Sequence, residues 1–294
     1  MAITASMVKD LRARTGVGMM DCKKALTETS GDIDAAVELL RKKGAASADK
    51  KAGRIAAEGQ VVMVCAEDGC RGVVVEVNSE TDFVSKGDDF TGFVQKLAQC
   101  ILQHQPEGLE SLFSLQIEDG GATVEETRRL LIGKVGENIQ VRRFSVLRAE
   151  SGARISGYQH GSRIGVLVAC KGGRNDLGRD LAMHVAASRP GYLDETAIPE
   201  TVLDKEKEIY RAQVLGSGKP EVIIDKILIG KMRKFVNEVT LLGQAYVKDT
   251  DLTVRQLLDR EQAQAIAFVR YEQGEGLDKR VDDFAAEVKQ QAGI

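Results

Sequence analysis

Few residues in this chain are spaced for bond-making chemistry. Gly216-Ser217-Gly218-Lys219-Pro220 has the glycine and lysine of a phosphate-cradling loop. Such a loop needs Gly-x-x-x-x-Gly-Lys-Ser/Thr after a strand. Here Pro220 follows the lysine, Gln213 stands where the first glycine belongs, and the flanking pattern is helix-turn-helix. Gly172-Gly173-Arg174-Asn175-Asp176-Leu177-Gly178 lies between a strand and a helix, where anions can bind, but lacks the Gly-x-Gly-x-x-Gly spacing and reads as a turn. His104, His160 and His184 are scattered, with no His-x-x-x-His or Cys/His cluster that would hold a metal. No Ser or Cys carries a nucleophile motif. The pattern supports neither an enzyme nor a cofactor.

The informative run is Asn78-Ser79-Glu80-Thr81-Asp82-Phe83-Val84, in which an apolar strand pattern from Gly72 to Val77 gives way to a polar loop displaying Phe83 and Val84 before the next helix. Loops held by a scaffold often carry function. Two readings stand: Phe83 and Val84 pack back on the following helix as a staple, or they form a wedge that enters a partner's pocket.

With 43% hydrophobic and 29% charged residues, the chain has the composition of a globular protein large enough for more than one domain. Aromatics make up 4% and Trp is absent, which disfavours a stacking surface for single-stranded nucleic acid. Residues 1–54 hold 11 Lys/Arg against 7 Asp/Glu, a net +4, whereas the remainder holds 30 against 37, a net −7. That asymmetry reads as a solvated face, with a weaker hint of an acidic neighbour for the head. The five cysteines include no Cys-x-x-Cys, and Cys65, Cys100 and Cys170 lie in apolar runs. Their odd number and the lack of a signal peptide point to a reducing cytoplasm. The longest apolar run, Val166 to Cys170, is too short for a membrane span.

The elements that must position these residues follow from periodicity. Residues 4–43 predict three short helices: Val8 and Leu11 mark the first; Met19, Cys22, Ala25 and Leu26 line the second; Ile33, Ala36, Val37 and Leu40 line the third. Ala45 to Glu58, rich in Ala, Lys and Gly, reads as a linker. Gln60–Cys65 and Arg71–Val77 predict a hairpin, followed by a helix with Phe90, Phe93, Val94, Leu97 and Ile101 on one face. A capping box, Thr123-Val124-Glu125-Glu126, opens another helix that ends at Gly136-Glu137-Asn138 before a strand from Ile139 to Leu147. The pattern then repeats: Arg154–Tyr158 and Ile164–Cys170 form a hairpin around His160-Gly161, and a helix spans Asp176–Ser188. Two charged helices occupy Pro199 to Val239. Val202, Glu206, Ile209 and Gln213 trace the stripe of one, and Ile223, Ile227 and Phe235 that of the other. A strand at Ala265–Tyr271 and an amphipathic helix at Asp278–Gln291 close the chain.

Three segments resemble the elongation factor Ts family. They are Thr15-Gly16-Val17-Gly18-Met19-Met20-Asp21-Cys22-Lys23-Lys24-Ala25-Leu26 with Gly31-Asp32; Asn78 to Val84; and Tyr158 to Val168 with His184-Val185-Ala186-Ala187. The resemblance runs in order along essentially the whole chain.

It implies an α+β fold: an N-terminal ubiquitin-associated-like three-helix domain (1–44), a linker (45–58), a core N-terminal half (59–148), a core C-terminal half (149–191 and 240–275), an antiparallel helical hairpin (192–239) and a C-terminal helical module (276–294), the halves built on antiparallel sheets. It implies guanine nucleotide exchange on elongation factor Tu, through the partner's G domain and domain 3, without direct nucleotide, nucleic-acid or membrane binding. Thr81, Asp82, Phe83 and Val84 would form the loop that disturbs the partner's Mg²⁺ and nucleotide site, favouring the wedge. Lys23, Gly136, Asn138, His160 and His184 would be further contacts. The rivals are a passive adaptor without exchange activity, and an RNA binder using the basic head.

Overall fold

In a computed structural model of the chain, residues 3–215 and 220–277 are described. The turn expected at Gly216–Pro220, apart from Pro220, and the tail helix expected at Asp278–Gln291 lie outside them. The described residues fall into two compact units, one comprising residues 3–62, 75–144 and 271–277, the other 63–74 and the described part of 145–270.

The first unit begins with helices α1 (Ala5–Thr15), α2 (Met19–Glu28) and α3 (Ile33–Lys51). Thr4 caps α1 by accepting the Met7 N–H at 3.3 Å, and Asp32 caps α3 by accepting the Ala35 N–H at 3.0 Å. Val8, Leu11, Cys22, Ala25, Leu26, Ala36 and Leu40 are buried together, as their spacing predicts. Met19, assigned to that inner face, is instead 51% exposed.

The expected linker is corrected over its first half, because α3 continues to Lys51. Next in the chain come strands β1 (Glu58–Cys65) and β2 (Arg71–Ser79), then α4 (Asp82–Ser85), α5 (Asp88–His104), α6 (Leu109–Ser114) and α7 (Val124–Val135). Alpha-helix α7 explains the long α3. Gly44 lies against its backbone, so that a Cβ there would sit 3.3 Å from the Arg129 carbonyl oxygen, and one on Gly133 would sit 3.4 Å from the Gly44 Cα. Ala48 is buried one turn on. Small residues at i and i+4 let two helix backbones meet, a signal that an apolar-stripe search does not see. We expect Gly44→Leu to destabilise the protein by about 1–3 kcal/mol through overpacking. Gly44→Ala should be near neutral in urea unfolding, because a helix-propensity gain of about 1 kcal/mol offsets its tight contact.

The α7 capping box forms as read: Glu126 N–H donates to Thr123 Oγ1 at 3.1 Å and Thr123 N–H to Glu126 Oε2 at 2.9 Å. The face of α5 predicted from Phe90 to Ile101 is buried. Strand β3 (Ile139–Arg148) completes a sheet of order β1-β2-β3. Within this unit Glu76, fully buried on β2, accepts from Arg142 Nη1 at 2.9 and 3.1 Å, Arg143 Nε at 2.7 Å and the Gly274 N–H at 2.7 Å. Those bonds fasten the 272–275 stretch to the sheet.

The second unit holds β4 (Ala153–His160), β5 (Ile164–Gly172), α8 (Leu177–Ser188), α9 (Glu200–Leu215), α10 (Glu221–Val239), β6 (Ala245–Tyr246), β7 (Asp249–Thr253), α11 (Val254–Arg260) and β8 (Ala263–Glu272) as far as Arg270. Strands β4 and β5 pair antiparallel from Ala153↔Lys171 to His160↔Ile164, and β8 joins as the third strand beside β5. Each half is thus a hairpin, then helix, then a third strand beside the hairpin's second, the α+β repeat expected. Leu177, Leu181 and Val185 of α8 share a core with Val166, Val168, Leu241 and Leu257.

The hairpin stripe is corrected. Val214, Ile224 and Leu228 are buried with Tyr210 and Ile227 against them, whereas Ile209 and Ile223 are exposed. Lys231 sits 4.8 Å from the Tyr210 ring centroid and donates to Gln213 Oε1 at 2.8 Å, so one edge of the seam is cation–π and polar. None of the described helices is long and apolar enough to cross a membrane.

Candidate functional site

Strand β2 delivers the 79–84 run at its end, and the run folds into α4, one turn of helix rather than an open loop. Thr81 is the N-cap: its hydroxyl oxygen accepts the Val84 N–H at 3.4 Å. The turn stays short because Gly87 starts α5 immediately afterwards, and buried Gln60 of β1 ties the junction by donating to the Ser85 carbonyl at 2.5 Å and to Thr91 Oγ1 at 2.9 Å. On this platform Phe83 is 88% exposed while Val84 is half-buried. The staple reading therefore fails for Phe83. Its phenyl ring stands outside the core in which Phe90 and Phe93 are buried.

Asp82 and Lys86, both exposed, pair at 2.6 Å across one turn. The Lys86 hydrogen bond, then its charge, holds the Asp82 carboxyl below the usual carboxylate range. Asp82 is therefore an ionised acceptor beside the ring.

Two carboxylates that the sequence reading missed brace this turn. Glu137 accepts the Thr81 N–H at 3.0 Å and the Thr81 hydroxyl at 2.6 Å. Glu80 accepts the Asn138 N–H at 2.6 Å and pairs with Arg54 at 3.4 Å. Gly136, in the left-handed conformation (φ 81°), ends α7 and turns the chain so that Glu137 and Asn138 face this run. A helix stop of Gly-Glu-Asn before a strand was the visible signal, but the partner of its carboxylate lies 56 residues away.

The remaining candidates divide by exposure. Lys23 lies exposed on α2, one turn from exposed Met19 and Met20. Gly136 is exposed. Asn138 is buried, its side chain donating to the Arg54 carbonyl at 2.9 Å, and so supports the site from behind instead of offering a contact. His160 is exposed at the β4–β5 turn, sharing a 3.0 Å hydrogen bond between Nδ1 and the Tyr158 hydroxyl.

His184 is corrected from a contact to a core residue. It is fully buried, donates from Nε2 to Gln244 Oε1 at 3.0 Å and accepts the Val247 N–H at Nδ1 at 3.2 Å. Those partners fit only the neutral ring, and burial lowers its pKa against the Gln244 bond, which raises it. The unfolded chain, with an ordinary value of 6.5, takes up the proton first. Stability should therefore be complete above that pH and fall as pH drops through it. Urea unfolding between about pH 7.5 and about pH 5.5 should show this slope in the parent and a weaker one in His184→Gln.

Among the described residues no group of His, Cys, Asp and Glu is arranged to hold a metal. In the Gly172-Gly173-Arg174 turn, Arg174 is engaged by Asp180 and by Glu261 at 3.4 Å, so its guanidinium is committed within the chain. Burial opposes ionisation of Asp180, but Lys248 and Arg174 outweigh it and hold its carboxyl low.

The family model for elongation factor Ts matches residues 80–275, a range that includes the exposed turn and both carboxylates that brace it. The chain belongs to the elongation factor Ts family. Members of that family include Elongation factor Ts of Thioalkalivibrio sulfidiphilus (strain HL-EbGR7), 54% identical over 292 residues and 99% of each chain. Elongation factor Ts of Alkalilimnicola ehrlichii (strain ATCC BAA-1101 / DSM 17681 / MLHE-1) is likewise 54% identical over 292 residues, and that of Methylococcus capsulatus (strain ATCC 33009 / NCIMB 11132 / Bath) is 53% identical over 291, each again covering 99% of both chains. Identity at this level along the full length makes the chain a factor of translation elongation, as the three quoted segments imply.

Proposed function

We propose that this chain is a guanine nucleotide exchange factor that works on elongation factor Tu in the cytoplasm, making no covalent change and needing no cofactor. The observation that carries the reading is Phe83, 88% exposed on a braced turn with ionised Asp82 next to it. Phe83 enters an apolar gap between elements of the partner's G domain. Asp82 accepts hydrogen bonds there, once it gives up or shares its exposed pairing with Lys86. Both acts favour an arrangement of the partner's phosphate and switch loops that no longer suits Mg²⁺ and GDP. Lys23 with Met19 and Met20, and His160 on the second unit, are offered to the same partner, reaching its G domain and domain 3.

Linkage sets the terms of turnover. If the factor weakens GDP binding by some ratio, GDP weakens binding of the factor by that same ratio. The complex is therefore tight without nucleotide and loose with it, and the factor leaves when GTP binds. A passive adaptor would bind equally well in both conditions. Titration of immobilised chain with elongation factor Tu, with and without saturating GDP and Mg²⁺, tests this. We expect GDP to weaken binding many-fold, and an affinity indifferent to GDP would rule exchange out.

A further inference from the structure

We propose that Glu137 is a positioning residue that fixes the direction in which Phe83 is offered, acting through Thr81 as one arm of a reciprocal carboxylate clasp. The inference rests on the exchange reading above. The clasp joins two connections, that between β2 and α4 and that between α7 and β3, and each lends the other a carboxylate. Glu80 goes to the Asn138 N–H, and Glu137 goes to the Thr81 N–H and hydroxyl. Arg54 closes the arrangement, its side chain on Glu80 and its carbonyl on the Asn138 amide.

The Thr81 hydroxyl has one proton. With that proton given to Glu137 Oε1 at 2.6 Å, a lone pair is left for the Val84 N–H. Glu137 thereby fixes the rotation of the very group that caps α4. Four residues of helix cannot hold themselves in water, since nucleation is costly and few bonds repay it. The turn's own backbone bonds are three: Ser85 to Thr81, Lys86 to Asp82 and Gly87 to Val84. Without the clasp the turn would still follow β2, but the ring would sample many directions.

The test uses full-length chain with Glu137→Ala and Glu137→Gln, each alone and with Phe83→Ala. Amide hydrogen exchange is read at residues 81–87, and GDP release from elongation factor Tu at limiting factor. We expect Glu137→Ala to speed amide exchange in the turn, with the strands unchanged, and to slow GDP release, each by about tenfold, the loss of a hydrogen bond to a charged acceptor. Glu137→Gln, which keeps one carbonyl acceptor, should fall between. In the Phe83→Ala background Glu137→Ala should slow release no further, because there is no ring left to aim.

Further slowing in that background, loss of protection across the whole sheet, or unchanged amide exchange in the turn would each overturn the positioning role. So would release as fast as the parent's from Glu137→Ala while Phe83→Ala is impaired, an outcome that leaves the exchange reading standing. If the parent chain itself fails to speed release, the exchange reading falls, and amide exchange still decides whether Glu137 orders the turn.

Discussion

Phe83→Ala should abolish most of the acceleration of GDP release while leaving the fold as stable as the parent. Truncating an aromatic at an interface hot spot costs about 2 kcal/mol or more, which is about 30-fold in affinity or rate. The same substitution removes no buried contact from the free protein, because the ring is 88% exposed. Surface changes of that kind stay within about 0.5 kcal/mol of the parent in stability. Exchange kinetics at limiting factor, set beside urea unfolding of the same variant, separate the two effects. Phe83→Leu, which keeps part of the apolar volume, should lie between. Release at the parent rate from Phe83→Ala would remove the wedge from the mechanism.

The largest stability effect is expected at Glu76. Its carboxylate is wholly buried and receives Arg142, Arg143, the Gly274 N–H and the Asn78 amide, the last at 3.3 Å. Glu76→Ala leaves two guanidinium groups facing the vacated space, the situation in which breaking a buried pair costs about 3–5 kcal/mol. The lower end, about 3 kcal/mol, is expected here. The two arginines are 20% and 30% exposed, and each keeps another partner: Arg142 the Glu275 carbonyl at 2.5 Å, Arg143 the Tyr271 ring at 4.1 Å. Urea unfolding measures the loss. A change under about 1 kcal/mol would mean that the cluster contributes little and that the 272–275 stretch is held by other contacts.

How far the sequence foretells this molecule depends on the range over which each signal acts. Caps and apolar faces are written within a turn or two, so Thr123 with Glu126, the face from Phe90 to Ile101 and the β4–β5 turn at His160-Gly161 were all readable. Close approach is not written that way. The extension of α3 into the first half of the supposed linker goes with Gly44 meeting Arg129 of α7, a residue far along the chain. The short elements α6, α11 and the β6–β7 pair carry too few residues for a period to be seen. In the helical hairpin, Ile223 was assigned to the stripe although its neighbour Ile224 is equally apolar, and only the pairing of α9 with α10 selects Ile224.

The site divides in the same manner. That residues 81–84 follow a strand and include an aromatic was legible. Whether the ring turns in or out was not, because the turn that carries it is tied by Gln60, 25 residues from Ser85, and by Glu137, 56 residues from Thr81. Asn138 and His184, singled out by resemblance, are inside the molecule: one secures the Arg54 carbonyl, the other sits neutral between Gln244 and Val247. Residues that share a motif with a contact surface can serve by holding its neighbours.

The most direct measurement of the central claim is release of a fluorescent GDP analogue from purified elongation factor Tu, chased with excess unlabelled GDP, with catalytic amounts of this chain. An exchange factor should speed release many-fold over the spontaneous rate, and each molecule should act repeatedly. Unchanged release, with binding of the chain to elongation factor Tu still measurable, would contradict the account and leave a passive adaptor in its place.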